Sequence, residues 1–249
     1  QESARFIEDA LIEYKVIYAR DQLISPAQQV AFARLFGELE KHPFMPNGEF
    51  PEIVVLDNHK DNPVLSTDVW HSDTTFREQP TRYSILHCLE IPKVGGDTLW
   101  ADMCAVYDGL SDRMKEMLEG LSALHDFKPF RALYGNSIKD REKIHKMEKL
   151  YPNPIHPMVR THPANGKKAL YVNPHFTLRV NELTDKESTA ILRFLFEQTH
   201  IPEYQFRLRW KPGTIVLWDN ASTQHYASND YYPHRRHMER VAVIGEKPH

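Results

Sequence analysis

Polar and apolar positions change period several times along this chain, and each change marks an element. Phe6, Ile7, Ala10, Leu11 and Tyr14 recur at helical spacing, which predicts an opening helix with these five on one face. Lys15-Val16-Ile17-Tyr18-Ala19 then reads as a short buried strand. Ser25-Pro26-Ala27-Gln28 combines a cap, a proline at the first helical position and a glutamine three residues on, the start of a second helix. Val30, Phe32, Ala33, Leu35 and Phe36 fill it and Gly37 ends it. Strands are predicted over 52–56, 82–91 and 168–172, and helices from Ser111 to Leu121 and from Thr184 to Phe196. Past Gln205 the period is two: Phe206, Leu208 and Trp210 share a face, Arg207 and Arg209 the other. Pro212-Gly213 turns the chain into strands over 214–218 and 240–244. The stretch 128–154 is polar, charged and without period, and reads as an irregular inserted loop of the kind that forms lids.

These elements describe one domain over 1–249: mainly β, with a helical N-terminal part and chemistry placed at strand ends. An antiparallel double-sheet barrel with flanking helices is the expected architecture. A chain of 249 residues, 41% hydrophobic and 26% charged, can bury a sizeable core. A net charge of −3 argues against a nucleic-acid or anionic-membrane surface. No apolar run approaches the ~20 residues that span a bilayer. No leader pattern opens the chain, and Gln1 falls inside a helical pattern, so further residues are expected before it. Cys88 and Cys104 are its two cysteines, too few for a disulfide framework, and a cytoplasmic setting is expected.

The candidate chemistry begins at Trp70-His71-Ser72-Asp73. On a strand or its extended end, residues two apart put both side chains on one face. An imidazole and a carboxylate there, joined by His225 from far downstream, make the two-His-one-carboxylate set that suits Fe(II) and leaves one side of the metal open. With fourteen histidines in the chain, a strand-edge His and Asp that bond only to backbone would carry the same letters. His225 follows a strand, where a loop returns it toward the barrel mouth. Eleven and fifteen residues later come Arg236 and Arg240. Guanidinium forks read carboxylates, so two of them near a metal fit a dicarboxylate co-substrate, although Arg235, Arg236 and Arg240 also fit a solvated basic stretch. Gly95-Gly96-Asp97-Thr98-Leu99-Trp100 is a tight turn entering a strand, with a hydroxyl able to donate to a carboxylate.

In combination these segments are specific. Trp-His-Ser-Asp-Thr-Thr-Phe (70–76), Gly-Gly-Asp-Thr-Leu-Trp (95–100), His-Pro-Met-Val-Arg-Thr-His-Pro (156–163), Ala-Leu-Tyr-Val-Asn (169–173), Trp-Asp-Asn (218–220), Thr-Gln-His-Tyr-Ala (223–227) and the Arg236/Arg240 pair stand in the order found in the taurine dioxygenase (TauD/TfdA) family of Fe(II)/2-oxoglutarate-dependent dioxygenases. The chain resembles that family from about Phe6 to its C-terminus, without the N-terminal strands that members usually carry.

The resemblance implies a double-stranded β-helix (jelly roll, cupin-like). It implies Fe(II) on His71, Asp73 and His225, with 2-oxoglutarate as co-substrate and O2 as oxidant. Thr98 and Arg240 match the groups on the distal carboxylate of 2-oxoglutarate, and Arg236 the arginine near its C1 carboxylate. His42, Arg240 and the backbone of Thr74 match the sulfonate-binding groups of taurine-oxidising members, and Phe176 matches a pocket aromatic. Hydroxylation of the carbon bearing sulfur gives an adduct that collapses to aldehyde and sulfite, beside succinate and CO2. The expected partner is therefore a small anionic organic substrate, with taurine or another sulfonate foremost, and family members form homodimers or homotetramers. Met45 stands where taurine enzymes carry a tyrosine, and 65–69 departs from their asparagine-rich run. Both changes leave alkyl sulfates and phenoxyalkanoates open as substrates. A zinc hydrolase on the same ligands, or a non-catalytic jelly-roll binding module, are the other classes; Thr98, Arg236 and Arg240 speak against the first and an intact triad against the second.

Overall fold

The computed structural model describes residues 2–42, 49–62, 67–131, 135 and 137–249. In chain order, helix α1 (Glu2–Tyr14) leads into strand β1 (Val16–Ala19), and α2 (Pro26–Ala33) precedes β2 (Ile53–Asn58). The long β3 (Thr81–Glu90) and β4 (Thr98–Asp102) follow, then α3 (Met103–Asp108), α4 (Asp112–Leu118) and β5 (Ser122–His125). Helices α5 (Lys128–Arg131) and α6 (Ile138–Leu150) come next, before β6 (Ile155–Pro157), β7 (Val159–Thr161), β8 (Lys168–Leu170) and β9 (Thr177–Val180). The chain ends with α7 (Asp185–Glu197), β10 (Gln205–Leu208), β11 (Ile215–Asp219), β12 (Thr223–Ala227) and β13 (Arg236–Ile244).

Among the described residues every strand pairing is antiparallel. The main sheet has the order β1-β11-β3-β13-β2 and so joins strands from both ends of the sequence. Side chains of β3 alternate between its faces. Tyr83 and Ile85 pack with Leu11, Val30 and Phe36 of the N-terminal helices. Leu86 and Cys88 pack the other way, against Trp100 of β4 and Leu208 of β10 in the sheet β10-β4-β12. Trp100 and Trp218 sit fully buried between the sheets, 5.8 Å apart and edge to face, an arrangement that suits their quadrupoles. Phe206, partly exposed, stacks on Trp100 at the rim of this core. Among the described residues no helix is long and apolar enough to cross a membrane.

Local signals in the sequence act as expected at the helix starts. Ser25 forms its capping box with Gln28 and Thr184 with Glu187. Several expectations do not hold. On α1, Leu11 is buried but Phe6 and Tyr14 are 74% and 65% exposed, because the helix touches the sheet along a stripe narrower than its apolar face. Strand β1 is a half-exposed edge, not a buried strand, having a partner on one side alone. His225 belongs to strand β12 rather than to a loop. β13 starts at Arg236, so Arg240 lies mid-strand. Among the described residues the stretch 128–154 is mostly helical: α6 is capped by Ser137, and its polar sequence reflects a helix with no buried residue.

Candidate active site

Two backbone hydrogen bonds bring the histidines together. His71 N donates to His225 O at 3.0 Å and His225 N to His71 O at 2.7 Å, an antiparallel bridge that sets their rings 4.1 Å apart. His71 Nδ1 donates to the carbonyl of Val69 at 2.7 Å, which leaves the Nε2 lone pair free. Asp73 lies two residues past His71, and its Oδ1 is 3.9 Å from Nε2 of both His71 and His225. One donor atom from each of the three falls within 4.8 Å of the others, in a buried setting. The next residue, Thr74, takes a left-handed backbone (φ 53°) and turns the chain sharply away.

Asp73 is held from several sides. Asn220 Oδ1 accepts from Asp73 N at 2.7 Å, while Asn220 Nδ2 donates to Asp73 O at 3.1 Å and to Thr81 O at 2.8 Å. Ser84 donates to Asp73 Oδ2 at 2.7 Å. Burial alone would raise the pKa of Asp73, but the Arg240 guanidinium paired with Oδ1, together with His225 and His71, holds it well below the usual carboxylate range. Burial pushes His225 down to about 3, with His71 adding to the effect. The site therefore offers two neutral imidazole nitrogens and one carboxylate oxygen, the donor set of a non-haem Fe(II) centre. His225 Nδ1 is buried with no hydrogen-bond partner among the described residues.

Arg236 and Thr98 form the second half of the site. Gly95 and Gly96, at φ 83° and 74°, make the turn before β4. Arg236 Nε donates to Gly96 O at 3.2 Å, and Arg236 Nη2 lies 3.4 Å from Thr98 Oγ1. Trp210 Nε1 donates to the same oxygen at 2.9 Å. Arg236 is 3% exposed, yet among the described residues it forms no ion pair. The resemblance groups Thr98 with Arg240 on the distal carboxylate, whereas the arginine beside Thr98 in the structure is Arg236. On β13 the two arginines are four residues apart and face the same way, but Thr98 on β4 reaches Arg236, while Arg240 ion-pairs with Asp73. The solvated reading fits Arg235 alone, which is exposed and clamped by Asp57 and Glu90.

A cavity of about 240 Å³ joins these groups. The triad, Thr98, Arg236 and Arg240 line it, as do the sequence-predicted His42, Thr74 and Phe176. Burial, with Arg240 and Arg77 nearby, lowers the pKa of His42 to about 3, so it stands neutral. The Thr74 hydroxyl is engaged by Thr81, through Thr81 N at 2.9 Å and Oγ1 at 2.8 Å. Val55, Leu56, Pro129 and Phe130 supply apolar wall. Pro129 and Phe130 come from α5, so the 128–154 stretch contributes to the pocket. Met45 and residues 65 and 66 lie outside the described residues.

Sequence reasoning missed Ser84, Asn220, Trp210, Phe130 and His175. Asn220 was present in the Trp-Asp-Asn motif, but no local pattern shows that its amide grips residue 73. His175 lines the cavity with its ring 4.9 Å from that of His71, and nothing in its neighbourhood of sequence announces this.

The chain is similar to known proteins over nearly its whole length. A family model described as taurine catabolism dioxygenase TauD, TfdA family matches residues 1–242. An alkylsulfatase of Acinetobacter baylyi is 35% identical over 98% of this chain and 77% of its own. An alpha-ketoglutarate-dependent sulfate ester dioxygenase of Pseudomonas putida is 34% identical over 97% and 81%. A crystal structure of a taurine dioxygenase from Burkholderia xenovorans superposes with a TM-score of 0.83 at 30% identity, covering 99% of this chain and 83% of that one. With the jelly-roll fold and the His71, Asp73 and His225 triad in place, the chain belongs to the TauD/TfdA family and is an Fe(II)- and 2-oxoglutarate-dependent dioxygenase.

Proposed function

We propose that this enzyme hydroxylates a small organic anion bearing a sulfate ester or sulfonate head and an apolar tail, on the carbon next to that head. Arg236 is the observation that carries the co-substrate half of this reading. A buried guanidinium without a carboxylate partner among the described residues calls for an anion from outside, and it lines the same cavity as the triad. The Thr98 oxygen already accepts from Trp210 and lies beside Arg236, so its proton is free to be donated. Together they hold the distal carboxylate of 2-oxoglutarate.

Iron(II) on His71, Asp73 and His225 supplies the redox chemistry that couples decarboxylation of 2-oxoglutarate to oxidation of a substrate C–H bond. Arg240, near Asp73, supplies positive charge to the C1 carboxylate and to the anionic head of the substrate. Neutral His42 and the Thr74 backbone add hydrogen bonds to that head. Phe130, Phe176, Val55 and Leu56 exclude water and receive the tail. A sulfate ester hydroxylated at its O-bearing carbon collapses to aldehyde and sulfate; a sulfonate gives aldehyde and sulfite.

The apolar wall and the two sulfate-ester relatives favour an alkyl sulfate, and the taurine dioxygenase structure keeps sulfonates as the second reading. A panel of alkyl sulfates, alkylsulfonates including taurine, and phenoxyacetates, scored for succinate with sulfate and sulfite assayed separately, decides between them. Succinate and sulfate from a medium-chain alkyl sulfate is the expected result. Sulfite from taurine alone would move the assignment to sulfonates, and no succinate from any of them would end this reading. We also place the protein in the cytoplasm, as a homodimer or homotetramer. The two buried free thiols fit a reducing compartment, and sedimentation velocity reads the assembly.

A further inference from the structure

We infer that Ser84 is a positioning residue that keeps Asp73 a one-oxygen ligand and thereby holds open the metal positions the reaction needs. The two carboxylate oxygens of Asp73 have different surroundings. Oδ1 faces His71 Nε2 and His225 Nε2, both at 3.9 Å, and pairs with Arg240. Oδ2 accepts from the Ser84 hydroxyl at 2.7 Å. A donor on Oδ2 fixes the rotation of the carboxylate about its last bond and occupies the lone pair that a second metal bond would use. A carboxylate free to turn can put both oxygens on a metal, and the second consumes a position that the facial triad leaves for co-substrate and oxygen.

The placement of Ser84 supports a dedicated role. It sits on the central strand β3, between Trp218 of β11 and Ala242 of β13, and is fully buried. Its neighbours Tyr83 and Ile85 serve the opposite face, and Leu86 continues its own face into the core between the sheets. A hydroxyl in such a position is costly unless bonded, and its side-chain bond goes to Asp73. The main chain of Asp73 is secured separately, by Asn220 on both N–H and carbonyl. Removing the Ser84 hydroxyl therefore takes away the hold on Oδ2, leaving the carboxylate anchored through Oδ1 alone and residue 73 in place.

The test uses Ser84→Ala and Ser84→Thr, loaded anaerobically with Fe(II), and reads the infrared difference between metal-loaded and metal-free protein. The wild type is expected to give the wide carboxylate splitting of one-oxygen ligation. Ser84→Ala should narrow it and weaken 2-oxoglutarate binding, measured by titration, by about tenfold; Ser84→Thr, which keeps the hydroxyl, should restore both. Should Ser84→Ala not fold, Ser84→Cys, a weak donor of similar size, reads the same two quantities. An unchanged splitting with unchanged 2-oxoglutarate affinity in a folded variant would reduce the Ser84 bond to a purely structural one. The inference rests on Asp73 being a ligand; Fe(II) binding that survives Asp73→Ala would overturn that reading, independently of the Ser84 result.

Discussion

Arg236 Nη2 and Thr98 Oγ1 stand 3.4 Å apart, with the indole of Trp210 donating to the same hydroxyl. This relationship separates the two arginines of β13. Arg236→Ala removes the buried counter-charge of the distal carboxylate and is expected to raise KM for 2-oxoglutarate by about 100-fold, the equivalent of ~3 kcal/mol. Thr98→Val, which keeps the shape and loses one hydrogen bond, should cost about tenfold. Arg240→Ala should act chiefly on KM for the anionic substrate. If Arg240→Ala weakened 2-oxoglutarate far more than Arg236→Ala, steady-state kinetics would restore the pairing of Thr98 with Arg240.

The triad gives a prediction on metal content. His225→Ala leaves two of three donors, and turnover should fall to background together with Fe(II) stoichiometry, measured by colorimetric iron assay on protein reconstituted anaerobically. The wild type stripped with a chelator should lose activity and regain it with Fe(II). Turnover retained by His225→Ala would exclude it as a ligand.

Phe130 is an apolar wall of the cavity and lies 5.5 Å, ring to ring, from His42. Phe130→Ala enlarges the tail end of the pocket. The ratio of kcat/KM between long and short alkyl sulfates should rise several-fold, each added methylene being worth about 0.8 kcal/mol where it is buried. An unchanged chain-length profile would place the substrate tail elsewhere.

His156 makes stability depend on pH. Its Nε2 donates to the carbonyls of Thr75 and Arg77, at 2.9 and 3.0 Å, beneath the turn that carries Asp73. Burial pushes its pKa down to about 4, and Arg160 and Lys247 act in the same direction. In the unfolded chain it takes a proton near its ordinary value, about 6.5. The unfolded state thus binds more protons between these values, and stability is lost as pH falls from about 6.5 toward 4. The loss is on the order of 3 kcal/mol at most. His125, buried with its ring 5.0 Å away and held well below its ordinary value by burial, adds to the same slope. Urea midpoints at pH 7.5 and 4.5 should differ for the wild type and differ less for His156→Gln. Equal differences would remove His156 from the account.

The amino-acid sequence was sufficient for the helix starts, the strand-rich character and the ligand triplet. Caps such as Ser25 with Gln28 are local chemistry, complete within four residues, and the collinear motifs around His71, Thr98 and His225 carried the family resemblance. It also placed His42, Thr74 and Phe176 on the pocket, through that resemblance rather than through spacing. Tertiary structure sets which arginine meets Thr98, because β13 and β4 belong to different sheets and how those sheets face each other is a matter of packing between them. It decided that Phe6 and Tyr14 face water, since the width of a buried stripe depends on what the helix packs against. It turned the charged stretch from Lys128 onward into helices, the first of which lines the pocket through Pro129 and Phe130. And it showed that a serine in the middle of β3 holds the carboxylate of Asp73 and an asparagine just past β11 holds its main chain, over separations of 11 and 147 residues that only folding spans.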